Sequence, residues 1–109
     1  MKITADSLPH AELTNFLGGE KTIRTRTMKD ELGKIMWATL EPGSSIGLHT
    51  HTTNSETIYI ISGKGKVLYE GAYETVETGD CHYCPKGHTH SLINDSDDPL
   101  EVFAVIPNQ

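Results

Sequence analysis

Polar and apolar positions alternate in short bursts along this chain, and glycine and proline cut the bursts apart. TIRTRTM (22–28) alternates with period two. KIMWATL (34–40), ETIYIIS (56–62), KVLYE (66–70), YETVE (73–77), CHYC (81–84), HSLIN (90–94) and EVFAVI (101–106) follow. These stretches are mostly rich in Ile, Val, Thr and Tyr, which suit a pleated, half-buried surface. Turn residues separate them: Gly18-Gly19, Gly33, Pro42-Gly43, Gly63, Gly65, Gly71, Gly79, Pro85, Gly87 and Pro99. Short strands at regular spacing predict an all-β sandwich or barrel. No long stretch repeats apolar residues at i, i+3, i+4 and i+7. A short helix is expected only near 11–17. Glu41-Pro42-Gly43 reads as a turn, and Ser62-Gly63-Lys64-Gly65 as the loop of a hairpin.

The 109 residues suit one domain spanning 1–109, large enough to bury about two-thirds of its unfolded surface. A net charge of -6 argues against a nucleic-acid partner, since phosphate binding needs a basic face. No apolar run approaches the ~20 residues of a membrane span, so no membrane partner is expected. MKITADSLPH has no apolar stretch of signal-peptide type, and the expected location is the cytoplasm. The two cysteines, Cys81 and Cys84, are too few to staple a secreted domain.

The candidate chemistry lies in HTHTTNSE (49–56). On a strand, alternate residues share a face, so His49 and His51 project together. Glu56 follows a short polar stretch that can turn back toward them, and His90 begins an apolar strand far downstream. Imidazole suits Zn, Cu, Fe and Ni, and a carboxylate extends the range toward Mn. A site with no thiolate is unlike a closed structural zinc site. Spacing alone leaves two readings open: a metal centre, or polar residues in a turn.

Two longer patterns frame these residues. The first runs Gly43-SSIGL-His49-T-His51-TTNS-Glu56-TIYIIS-Gly63, and the second Gly79-DCHYC-Pro85-K-Gly87-HT-His90-SLI-Asn94. In both, every position of the paired motifs of the cupins is filled, and the chain resembles that family of small jelly-roll β-barrels. The resemblance implies that His49, His51, Glu56 and His90 hold one divalent transition metal (Mn, Fe, Ni or Zn) inside the barrel. It implies tight turns at Gly43, Gly63, Gly79 and Gly87, and a backbone-anchoring role for Asn94. Residues 1–30, with Gly18-Gly19-Glu20 before a Thr/Arg-rich strand, are similar to the N-terminal arm of small cupins, which implies a homodimer paired through such strands.

The remaining residues are read beside that resemblance. Cys81 and Cys84 would face opposite sides of one strand and serve as two packed thiols. His82 shares a face with Cys84, and Tyr83 with Cys81. The matching position in some catalytic cupins lines the cavity, so His82 is the expected acid/base, with Tyr83 the alternative. His88 either reaches the cavity mouth or is an exposed turn residue. Ile58 and Ile60 share the Glu56 face and would make the cavity wall apolar, while Tyr59 points away. Trp37 and Phe103 are expected in the core, and Asp95, Asp97 and Asp98 in a solvated turn. No arginine follows Arg26, so anion recognition would rest on Arg24, Arg26, a lysine or the metal.

Two functions are therefore expected. One is a metalloenzyme (oxygenase, decarboxylase, isomerase or lyase) acting on a small organic acid or oxygen-rich metabolite that chelates the ion. The other is a non-catalytic binding or sensing module in which the metal orients a small-molecule ligand or is structural.

Overall fold

The structure, a computed structural model, describes all residues from 1 to 109. Ten strands carry it: β1 (His10–Thr14), β2 (Thr22–Asp30), β3 (Gly33–Leu40), β4 (His49–Thr50), β5 (Glu56–Ser62), β6 (Lys64–Tyr69), β7 (Ala72–Glu77), β8 (Cys81–Cys84), β9 (Thr89–Ile93) and β10 (Leu100–Pro107). All pairings are antiparallel, in a six-stranded sheet ordered β1-β2-β3-β10-β5-β8 and a four-stranded sheet ordered β4-β9-β6-β7. The all-β jelly-roll expectation holds.

The period-two pattern decides what each sheet buries. Met36, Ala38 and Leu40 of β3, Ile58 and Ile60 of β5, and Leu100, Val102 and Ala104 of β10 point inward. They meet Val67, Val76 and Leu92 of the smaller sheet. Burying such a Leu, Ile or Val stabilises the fold by roughly 1.5–3 kcal/mol each. Asn94 is fully buried; its side-chain amide donates to the carbonyls of Leu40 and Asp98 and pins the 94–98 loop to the end of β3. Its anchoring role is thus at the closed end of the interior. Asp95, Asp97 and Asp98 are exposed on that loop. Gly43, Gly63, Gly79 and Gly87 all have positive φ, as their turn positions require.

Several local expectations give way. The helix predicted near 11–17 is instead β1 followed by a single 3₁₀ turn, Phe16–Gly18. Leu13 packs on the core while its neighbours face solvent, which is a strand pattern, and β1 is zipped along β2 from His10↔Arg26 to Thr14↔Thr22. Ser62–Gly65 is not a hairpin loop. β5 belongs to the larger sheet and β6 to the smaller, and Gly63 turns the chain from one to the other. Its φ is 94°, and a Cβ there would lie 2.5 Å from the Pro99 carbonyl oxygen, so only glycine fits. Trp37 and Phe103 are not core residues. They pack with tilted rings, centroids 4.7 Å apart, on the outer face of the larger sheet, where cross-strand register places them together. Cys81 is exposed and Cys84 buried, so only one of the two thiols is packed.

Candidate metal centre

Three strands and one loop bring the four expected donors together. His49 lies on β4 directly opposite His90 on β9. His51 follows β4 by one residue, and Glu56 opens β5 across from Cys84 of β8. The loop before β4 is fixed by close backbone packing. A Cβ on Gly47 would come within 1.9 Å of the Leu17 carbonyl oxygen, and one on Gly19 within 2.0 Å of Ser45 O. The 15–19 segment is therefore seated on the chain that delivers the histidines.

The donor atoms of His49, His51, Glu56 and His90 all lie within 4.8 Å of one another. The His51 Nε2 is 3.2 Å from that of His49 and 2.9 Å from that of His90, and His90 Nε2 is 3.1 Å from His49 Nε2. Glu56 Oε1 is 3.1 Å from His51 Nε2 and 2.9 Å from His90 Nε2. Glu56 is 4% exposed and His90 1%.

The far sides of two rings decide what their near sides offer. His49 Nδ1–H donates to the Gly47 carbonyl at 2.7 Å, and His51 Nδ1–H to the Asn54 side-chain oxygen at 2.5 Å. A neutral imidazole carries one proton, so both Nε2 atoms present lone pairs to the cluster. A buried carboxylate faces the same point. Such a gathering of acceptors repels itself unless a cation sits among them, and this donor set fits a divalent ion.

The electrostatics follow. Burial works against charge on Glu56, yet the imidazoles of His49, His51 and His90 hold its carboxyl well below the usual carboxylate range. Hydrogen bonding to Glu56 raises His51 above its ordinary 6.5, because a proton there relieves part of the crowding. Burial lowers His90. Burial also pushes the Cys84 thiol up to about 11, so it is no nucleophile.

The cluster opens onto a cavity of about 430 Å³. Phe16, Leu17, Met36, Ile46 and Ile106 supply its apolar wall, and Lys34 is its one ionisable side chain besides His49, His51 and Glu56. Ile58 and Ile60 do not line it; they lie deeper, in the core, while Tyr59 does point outward. Arg24 and Arg26 are on the other side of the larger sheet. With His10 and Trp37 they border a separate outer groove, where Arg24 pairs with Glu41 at 2.5 Å. The cavity's cation is therefore a lysine, one that β3 alternation places inward with Met36.

His82 is buried but not on this cavity. Its Nε2 is 2.9 Å from His90 Nδ1, and its Nδ1 is 2.6 Å from Glu74 Oε1. Tyr83 is exposed on the outer face. His88 turns from the cavity to Tyr69, whose hydroxyl is 2.6 Å from His88 Nδ1. Glu74 escaped the sequence reading, since nothing in YETVE marks one carboxylate out.

Two facing antiparallel sheets with a three-histidine, one-carboxylate cluster at their open end define a jelly-roll barrel with a potential metal site. The chain belongs to the cupin domain family, whose sequence profile matches residues 36–106. It is similar to an oxalate-binding protein of Thermotoga maritima, 28% identical over 112 residues that cover 97% of this chain and 93% of that one. It also superposes on the crystal structure of a predicted oxalate decarboxylase from Thermotoga maritima with a TM-score of 0.93, 26% identity and full coverage of both chains. The polyketide cyclase RemF from Streptomyces resistomycificus shares the fold at a TM-score of 0.78 and 18% identity, over 98% of this chain and 78% of that one.

Proposed function

We propose that this protein holds one divalent transition metal on His49, His51, Glu56 and His90 and uses it to capture a small dicarboxylate of oxalate's chemistry. The observation that carries this is the cavity: the acceptor cluster at its base and Lys34 on its wall. When bound, the ion supplies Lewis acidity and open coordination positions for carboxylate oxygens. Lys34 offers the second positive charge that a dianion needs, and the apolar wall limits competing water. The similarity to an oxalate-binding protein supports the same ligand class.

Binding is the primary reading. Turnover needs an acid or base beside the ligand, and His82, the residue expected there, sits behind His90 instead. The enzyme reading rests on Lys34 as the one remaining ionisable side chain on the cavity and on the likeness to a predicted decarboxylase. Calorimetry of metal-loaded and metal-free protein with oxalate, malonate and acetate tests the proposal. Oxalate binding only with metal supports it; equal binding without metal, or none with metal, sinks it. Mass spectrometry of the same mixtures for formate separates turnover from capture.

A cytoplasmic homodimer is part of the same proposal. No helix is long and apolar enough to cross a membrane. The outer face of the larger sheet sets Trp37, Phe103 and Tyr59 in one cross-strand row, a surface a second copy would cover. Light scattering at twice the 12.0 kDa chain mass is the expected result.

A further inference from the structure

Two of the three histidines in the cluster have their far nitrogens tied to carbonyl oxygens. His90 is different. No backbone oxygen meets its Nδ1, which lies 2.9 Å from His82 Nε2, and His82 Nδ1 in turn lies 2.6 Å from the Glu74 carboxylate. The three residues come from three strands and both sheets: Glu74 from β7, His82 from β8 and His90 from β9. The rings of His82 and His90 stack with centroids 5.2 Å apart, and the His82 side chain is 2% exposed.

Resting on the metal reading above, we propose that Glu74 and His82 are positioning residues that set the tautomer of His90 and aim its Nε2 lone pair at the metal. The chain of donors has one workable direction when both imidazoles are neutral. A carboxylate only accepts, so His82 Nδ1 must carry its proton toward Glu74. His82 Nε2 is then bare and accepts from His90 Nδ1–H. That leaves His90 Nε2 bare, facing Glu56 and the other two rings. In the reverse direction His82 Nδ1 would set a lone pair against the carboxylate at 2.6 Å, and His90 Nε2 would carry a proton into the cluster, where it would block an ion. A ligating imidazole gains basicity and a fixed orientation from such an outer partner, and loss of the partner costs typically 10–100-fold in metal affinity. Glu74 is half exposed on β7 and makes no hydrogen bond or ion pair with the four cluster residues, so its hydrogen-bonded route to His90 runs through His82.

The test uses the full chain and zinc, a diamagnetic probe. Zinc affinity is read by competition with a chromophoric chelator for the wild type, His82→Leu, His82→Gln and Glu74→Gln. The histidine tautomers are read by long-range proton–nitrogen NMR. His82→Leu is expected to weaken zinc 10–100-fold and to mix the His90 tautomers in the metal-free protein. His82→Gln keeps an acceptor oxygen near His90 Nδ1 and should restore most of the affinity. Glu74→Gln, a surface change that leaves the core intact, should weaken zinc several-fold and shift the His90 Nδ1–H resonance although it makes no contact with His90. Wild-type affinity in both His82→Leu and Glu74→Gln, with an unchanged His90 tautomer in His82→Leu, would overturn the proposal. If His82→Leu does not fold, Glu74→Gln decides it alone. If the wild type binds no zinc, the metal reading fails, and the metal-free spectra of wild type and Glu74→Gln still decide the tautomer assignment.

Discussion

The two ends of the interior are built by the same strands with the same alternation, yet they differ in kind. Along β5 the inward row reads Glu56, Ile58, Ile60; along β3 it reads Lys34, Met36, Ala38, Leu40; on β9 His90 is followed by Leu92 two residues on. Each row starts polar at the open end and becomes aliphatic at the closed end. The closed end is stabilised mainly by apolar contact, with buried Asn94 hydrogen-bonded to the Leu40 and Asp98 carbonyls at its rim. At the open end a charged and polar cluster is held close by hydrogen bonds behind it. Fold and site are thus two halves of one continuous pattern, and the period that hides Ile60 also presents Glu56.

The separation can be broken from either side. The largest effect is expected from His51→Ala, which removes a ring in contact with all three other donors of the cluster. Elemental analysis should fall from about one metal per chain to none, with the fold kept by circular dichroism. Unchanged metal content would refute the assignment.

At the other end, Ile60→Ala leaves a cavity in the core and should cost roughly 2–5 kcal/mol in denaturant unfolding of the metal-free protein. Zinc affinity should stay within about threefold of wild type by the same reasoning, since Ile60 lies beyond Ile58 from the cluster. A matching loss of affinity would show that the two ends are coupled.

Acid acts on the open end through His51 and Glu56. His51 is raised above 6.5, so its contribution to the metal-free fold is present below that value and is lost as pH rises through the raised value. Glu56 is depressed, so its contribution is present above the ordinary carboxylate value and is lost as pH falls through the depressed one. While His51 is protonated, metal uptake must displace its proton. Affinity should then fall by about a decade per pH unit on acidification, with proton release visible as buffer-dependent binding enthalpy. A flat profile would count against His51 as a ligand.

The smallest effect sharpens the ligand half of the comparison. Lys34→Met should weaken oxalate about tenfold, the worth of one charged hydrogen bond, with metal content unchanged. Calorimetry of metal-loaded protein reads this directly. Equal oxalate affinity would place the second carboxylate away from β3.

Much of this was legible in the sequence. Strand alternation and turn residues mark eight of the ten strands as separate stretches, and leave β1 misread as a helix. HxH on one strand face is a local pattern, and the glycine-framed motifs extended it to Glu56 and His90. What stayed hidden depends on contacts between segments far apart in the chain. Leu13 reads as helical or extended until β2 pairs with it. Gly63 reads as a hairpin until its two flanking strands join different sheets. Trp37 and Phe103 read as core because bulk and apolarity do not say which face of a sheet is inward. Lys34 was one of seven lysines until β3 placed it on the cavity. Glu74 looks like any surface carboxylate, and only the approach of β7 to β8 gives it a partner.

The direct pairing of His49 with His90 has a kinetic consequence. These residues are 41 positions apart, and no local segment brings them together. Loop closure on that scale comes after local contacts in the search for the native state, and β topologies of this type fold in milliseconds to seconds. An ion that needs both rings cannot be held by an early intermediate. The onset of its binding in a refolding experiment would mark the moment at which β4 docks on β9, giving a clock for that step of assembly.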